Sequence, residues 1–126
     1  MTLLLDTHVL LWWLFGDPRL TPTMRKAIAD PTSTVVVSAV TAWEMAIKAA
    51  VGKLAVPDRL IHQLDQEGFE ALPVTVEDGL AAGALPRHHG DPFDRMLVAQ
   101  AQVEGLALIT ADSKLKPYSV PILWAR

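Results

Sequence analysis

Four carboxylates stand where this chain's apolar runs end or its helices begin: Asp6, Glu44, Asp94 and Asp112. Asp6 closes Leu3-Leu4-Leu5. Glu44 lies about a turn and a half into the helix that follows Val35-Val36-Val37. Asp94 is in the first turn of the helix opened by Asp91-Pro92. Asp112 follows Leu108-Ile109-Thr110. Short apolar runs without alternation read as strands buried on both faces, as in a parallel sheet. In open α/β sheets ligands gather outside the carboxyl ends of the strands. Parallel crossovers bring strand ends and helix starts to one edge, so the four acids would meet there. Together they would repel and raise one another's pKa values unless a cation joined them. The usual cation for an all-oxygen set is Mg²⁺ or Mn²⁺.

Each acid also has a purely structural reading. Asp6 or Thr7 can cap the helix that follows, since both types are good N-caps. Glu44 can pair with Lys48 one turn on. Asp91 and Asp94 both complement a helix dipole. Asp112 can cap a short turn through Ser113-Lys114-Leu115. One acid alone is well explained this way. All four together are not, because the structural reading must place them at one edge by accident.

The elements that would carry them follow from periodicity and capping. Strands are expected at Leu3–Leu5, Val35–Ser38, Phe69–Val74, Leu106–Thr110 and Ile122–Trp124, the third an edge strand because Pro73 interrupts it. Helices are expected at Val9–Phe15, Leu20–Asp30 with Thr21 as cap and Pro22 first, Ala39–Val51 capped by Ser38, Pro57–Glu67, and Thr75–Ala84. The clearest opens with Asp91 as N-cap and Pro92 at the first helical position, and Gly105 ends it. On the helix after Ser38, Val40, Trp43, Ile47 and Ala50 share one face, and Thr41, Glu44 and Lys48 another. Strands alternating with helices imply right-handed crossovers, hence an α/β fold with a mostly parallel sheet of five short strands and helices on both faces. No repeat or linker interrupts it, so residues 1–126 read as one domain.

Composition narrows the class. The chain has 126 residues, 51% of them hydrophobic and 20% charged, with 11 basic against 14 acidic residues and a formal charge of −3. Bulk positive charge is therefore not how it would hold nucleic acid. It has no cysteine, which excludes disulfides and thiolate zinc sites and suits a reducing cytoplasm. Neither a signal peptide nor a membrane span is legible. There is no phosphate-binding glycine loop and no nucleophile elbow. His88-His89 lies in a loop, not at the i, i+4 spacing of a zinc protease. Trp12, Trp13 and Trp43 could stack bases, but their helical spacing within apolar runs makes them core.

The segments LLLDTHVLLWWL, VSAVTAWEMAIKAAVGKL, HGDPFDRMLVAQA and LITADSKL, taken together, resemble PIN-domain ribonucleases. In particular they resemble the toxins of VapBC-type toxin–antitoxin modules. The resemblance covers essentially the whole chain. It implies a PIN-like fold and hydrolysis of RNA phosphodiesters at a site holding one or two Mg²⁺ or Mn²⁺ ions. Matched position by position, the family's acids are Asp6, Glu44, Asp94 and Asp112. Thr110 stands where the family often has Ser or Thr, two residues before the last acid. Some relatives carry Asn where Asp112 stands, and Asp91 has no equally general counterpart. The resemblance also implies an antitoxin partner and allows a homodimer.

A metal held by carboxylates can activate water near neutral pH and stabilise charge on a phosphate. Lys48, Arg87, Arg95 and Thr110 are the candidate substrate contacts. Three other readings compete. A DNA-directed nuclease would use the same chemistry, because metal and phosphate contacts do not read the 2′-hydroxyl. A phosphate receiver would need an Asp pair after the first strand and a Lys after the last, where this chain has Asp6-Thr7-His8 and Asp112. A binding-only scaffold would have no use for intact acids.

Overall fold

The computed structural model describes residues 1–125. Its sheet has five strands: β1 (Thr2–Leu5), β2 (Thr34–Ser38), β3 (Glu70–Leu72), β4 (Ala107–Thr110) and β5 (Ile122–Trp124). All pair in parallel, in the order β3-β2-β1-β4-β5. The first strand of the sequence is thus the middle of the sheet, and the chain reverses its direction of winding between β1 and β4. That is the topological switch point, where an open α/β sheet leaves a crevice.

Alternation along the strands builds two cores. Leu3 lies level with Val35 and Ala107. These residues, with Leu5, Val37 and Ile109, face a cluster containing Val9, Leu10, Leu11 and Trp12 of α1 (Thr7–Phe15) and Ile28 of α2 (Pro22–Ala29). Leu4, Val36 and Leu108 point the other way, onto Ala82 of α5 (Val76–Ala84) and Leu97, Val98 and Ala101 of α6 (Pro92–Glu104). Both faces of the sheet are therefore covered, which is why the interiors of β1, β2 and β4 are unbroken apolar runs. α3 (Ala39–Ala50) straddles the two, with Val40 in the second cluster and Met45 in the first.

The expected elements all form, with shifted ends. α1 begins at Thr7, two residues earlier than expected, because Asp6 caps it by accepting from the Val9 N–H at 2.8 Å. α4 spans Leu60–Glu67 rather than starting at Pro57. Arg59 sits in the left-handed region at φ 55°, which a right-handed helix cannot continue through. β3 is a three-residue edge strand ending before Pro73. Gly105 ends α6 at φ 68°, returning its N–H to the Ala101 carbonyl.

One expectation is overturned. Trp12 is buried and Trp13 packs on the first cluster, but Trp43 is 61% exposed and Ile47 lies exposed beside it. α3 turns Thr41, Glu44 and Met45 inward instead. Glu44 has partners waiting in the interior, and satisfying it rotates the helix's apolar stripe outward. Among the described residues no helix is long and apolar enough to cross a membrane.

Candidate metal centre

Each acid arrives on a different element, and each has its own local reason for being there. Asp6 leaves β1 as the N-cap of α1. Its Oδ1 takes the Val9 N–H, and its Oδ2 takes the Thr110 hydroxyl from the end of the neighbouring strand β4. Glu44 projects from α3 and is buried. Its Oε1 accepts from the Thr7 hydroxyl at 2.5 Å, and its Oε2 from the Lys48 ammonium. Asp94 is the third residue of α6. Asp112, two residues beyond β4, caps the 3₁₀ turn Ser113–Leu115 through a 3.0 Å bond from the Lys114 N–H.

The four side chains line one cavity of about 250 Å³, together with Thr7, His8, Lys48, His89, Asp91 and Lys114. The capping readings and the convergence therefore hold together, since Asp6 and Asp112 cap helical turns while facing the cavity. Asp91 behaves as a cap, accepting from the Phe93 and Asp94 N–H groups at 2.8 and 3.3 Å.

The electrostatics are those of a site short of positive charge. Burial pushes the Asp6 carboxyl up, opposed by its bonds from Thr110 and Val9. Asp94 is pushed up to about 7, first by burial, then by the charges of Asp91 and Asp6, with His89 pulling the other way. Oxygen availability singles out the same residue. Both oxygens of Asp6, Glu44 and Asp112 accept protein hydrogen bonds. Asp94 accepts none among the described residues: its Oδ2 lies 3.0 Å from His89 Nε2 as an ion-pair contact, and its Oδ1 is uncommitted. A ligand atom from each of His89, Asp94 and Asp112 lies within 4.8 Å of the other two. A lining dominated by carboxylates, with one uncommitted oxygen and a repelled charge, fits a hard divalent ion.

The four expected substrate contacts divide. Thr110 is fully buried, and its hydroxyl donates to Asp6 while accepting from the Asp112 N–H at 3.0 Å. It joins two of the acids and does not meet solvent. Arg95 points away from the cavity. Its guanidinium holds the carbonyls of Leu85, Pro86 and His89 in the loop between α5 and α6, and that of Ala82 in the last turn of α5. Lys48 does line the cavity, paired with Glu44. Arg87 is exposed and does not line the cavity; it stands in a neighbouring pocket with His89, Gly90 and Pro92.

Four lining residues were not expected there, Thr7, His8, His89 and Lys114, and two of them hold acids. Thr7 follows Asp6 directly and carries Glu44. His89 stands two residues before the N-cap of the acid-bearing helix. That position was itself a signal, because a residue just ahead of a helix start shares the helix's sheet edge.

A family model described as PIN domain matches residues 3–120. The chain is 31% identical to Ribonuclease VapC22 of Mycobacterium tuberculosis over 123 residues, covering 95% of this chain and 94% of the relative. Among solved structures, VapBC2 from Rickettsia felis, bound to a DNA fragment from its promoter, superposes with a TM-score of 0.74 at 16% identity. That match covers 100% of both chains. DNA-bound VapBC from Salmonella typhimurium follows at 0.70 and 15% identity, covering 100% of this chain and 99% of that one. At those identities the two structures speak for the fold. The sequence match over residues 3–120, the kinship to VapC22 and the shared fold agree, and the chain belongs to the PIN domain family.

Proposed function

We propose that residues 1–126 form one metal-dependent endoribonuclease unit, the toxin half of a toxin–antitoxin pair, working in the cytoplasm on RNA. The observation that carries this reading is the lining of a single cavity by Asp6, Glu44, Asp94 and Asp112 at the switch point of the sheet. Kinship to a protein named as a VapC ribonuclease supports the substrate class and the toxin role.

Asp94, with its uncommitted oxygen, and Asp6, at the end of the central strand, would hold the ion directly. Glu44 and Asp112 would complete its surroundings, directly or through water. One or two Mg²⁺ or Mn²⁺ ions bound here supply an activated water and a positive charge against the phosphate. Without them a cluster of acids repels RNA, so the metal is needed for binding as well as cleavage. Lys48 pairs with Glu44 at the cavity wall, and Arg87, exposed in the neighbouring pocket that shares His89, is placed to meet a phosphate.

Uncovered apolar side chains favour work in an assembly. Trp43, Ile47 and Val51 are exposed on or beside α3, and Val76 and Leu80 on α5. Such surface is typical of protein–protein contacts. A partner of the antitoxin kind and a second copy of the chain are both compatible with it.

The test is cleavage of single-stranded RNA and of matched DNA by the purified chain, with Mn²⁺, with Mg²⁺ and with EDTA, beside Asp94→Asn. Metal-dependent cutting of RNA alone, absent in the variant, is expected. Cutting of DNA alone would replace the substrate class. Cutting in EDTA, or by the variant, would end the metal reading. In cells, expressing the chain alone should slow growth, and a small protein encoded beside it should relieve this.

A further inference from the structure

His89 makes more contacts in the centre than any sequence motif demanded. Its ring Nε2 lies 3.0 Å from Asp94 Oδ2 and 3.1 Å from Asp112 Oδ2, bridging the acid of α6 and the acid beyond β4. Its other nitrogen, Nδ1, accepts the Asp91 N–H at 3.3 Å. A nitrogen that accepts an N–H carries no hydrogen of its own, so the ring hydrogen is on Nε2, between the two carboxylates. This tautomer is a donor and cannot be a metal ligand through Nε2. Becoming one would require the hydrogen to move to Nδ1, where it would meet another hydrogen from Asp91.

The backbone around the ring is held as firmly as the ring itself. The Tyr118 hydroxyl accepts the His89 N–H at 3.1 Å and donates to the Pro86 carbonyl at 2.9 Å. Arg95 donates to the His89 carbonyl at 3.4 Å and to that of Pro86 at 3.1 Å. The neighbouring His88 turns outward, its ring edge-on to Tyr118 at 5.1 Å. Loops rarely receive this many side-chain anchors unless one of their residues must be exact in position.

We propose that His89 is a positioning residue of the metal centre: its Nε2, hydrogen-bonded to Asp112 and 3.0 Å from Asp94, holds the outer oxygens of the two acids together and so leaves Asp94 Oδ1 for the cavity. The inference rests on the metal-dependent reading of that cavity. It explains why Asp94 is the acid with a free oxygen, since the other is taken by His89. It also gives Asp112 a reason to belong to the centre, because His89 ties its Oδ2 to Asp94. Donors behind metal-ligating groups hold them in the geometry the metal needs, and losing one typically weakens metal binding about 10–100-fold.

The experiment titrates Mn²⁺ alone, by calorimetry, into the full chain and into His89→Ala, His89→Gln and Asp94→Asn, with melting curves of each in EDTA. His89→Ala should bind Mn²⁺ about 10–100-fold more weakly. His89→Gln should recover most of the loss, because its amide N–H can reach the same two oxygens. Mn²⁺ binding by His89→Ala as tight as wild type, or tighter, overturns the proposal. Equal weakness of the Ala and Gln variants overturns it too, since a donor would then not be what matters. Should His89→Ala melt below the working temperature, the Gln variant decides, with wild-type affinity expected and a loss of tenfold or more overturning. If Asp94→Asn binds Mn²⁺ like wild type, the metal reading itself has failed, an outcome no His89 result alone would produce.

Discussion

The hydroxyl of Thr110 donates to Oδ2 of Asp6 at 2.5 Å, joining residues 104 apart in the chain. The bond spans the two strands that flank the switch point, and both groups are buried. A buried carboxylate that loses a donor bears the cost of its own desolvation, about 1–3 kcal/mol or more for a charged group. Thr110→Val, similar in shape, should therefore lower the melting temperature at pH 8 and weaken Mn²⁺ binding, while Thr110→Ser should restore both. A variant that kept its stability and changed only the apparent affinity for RNA would make Thr110 the substrate contact the sequence suggested.

The pH dependence of stability follows from Asp94. Its carboxyl is raised from 3.8 to about 7 in the folded chain. The folded state therefore holds that proton more tightly than the unfolded one. Stability tied to it is full below about pH 4 and is lost as pH rises toward about 7. In EDTA, Asp94→Asn should melt higher than wild type at pH 8 and converge with it near pH 4. Adding millimolar Mn²⁺ should raise the wild-type melting temperature and leave the variant's unchanged. Identical pH profiles of the two proteins would show that Asp94 carries no such strain.

Asp91 and Asp94 separate by position. Asp91 spends one carboxylate oxygen on two backbone N–H groups, so Asp91→Ala should lose about 0.5–2 kcal/mol of stability and keep metal-dependent cleavage. Its charge also helps hold Asp94 up, so the variant's cleavage should persist to lower pH than wild type. Asp94→Asn should fold and lose cleavage by orders of magnitude, because a neutral amide does not replace an anionic ligand. A folded but inactive Asp91→Ala would reverse the two roles.

The two arginines near the loop should fail differently. Arg95→Gln removes the side-chain donor of the Leu85 and His89 carbonyls and one donor each from those of Ala82 and Pro86, and should show as a lower melting temperature and faster proteolysis between residues 85 and 90. Arg87→Gln should leave the melting curve alone and weaken RNA binding, reducing the salt slope by about 0.7 for one phosphate contact to a single strand. Salt slopes measured on both, with uncleaved RNA and Asp94→Asn as background, discriminate. An altered slope in Arg95→Gln alone would exchange them.

The acids were legible because strand ends and helix starts can be read from local pattern. Leu3-Leu4-Leu5 before Asp6 and Asp91-Pro92 before Asp94 each fix a place at the sheet edge without any knowledge of the partner strand. Long-range contacts were not legible in the same way. Trp43 fits an apolar helix stripe, yet α3 buries Thr41, Glu44 and Met45 and leaves Trp43 and Ile47 exposed, with Glu44 held by Thr7 of another helix. Arg95 reads as a surface cation until the loop carbonyls it serves are placed beside it. His89 carried no periodic signal, since its partners are joined to it by tertiary folding alone.

The position of β1 in the middle of the sheet has a consequence for synthesis. The first strand to be made must wait for β4, beyond residue 106, before its second edge is paired. Asp6 receives Thr110, and the cavity receives Asp112, only at that late stage. A nascent chain, or one released early by stalled translation, holds three of the acids but lacks the neighbouring strand that locks the first of them in place. Completion of the site thus waits on a segment 104 residues beyond the acid that opens it.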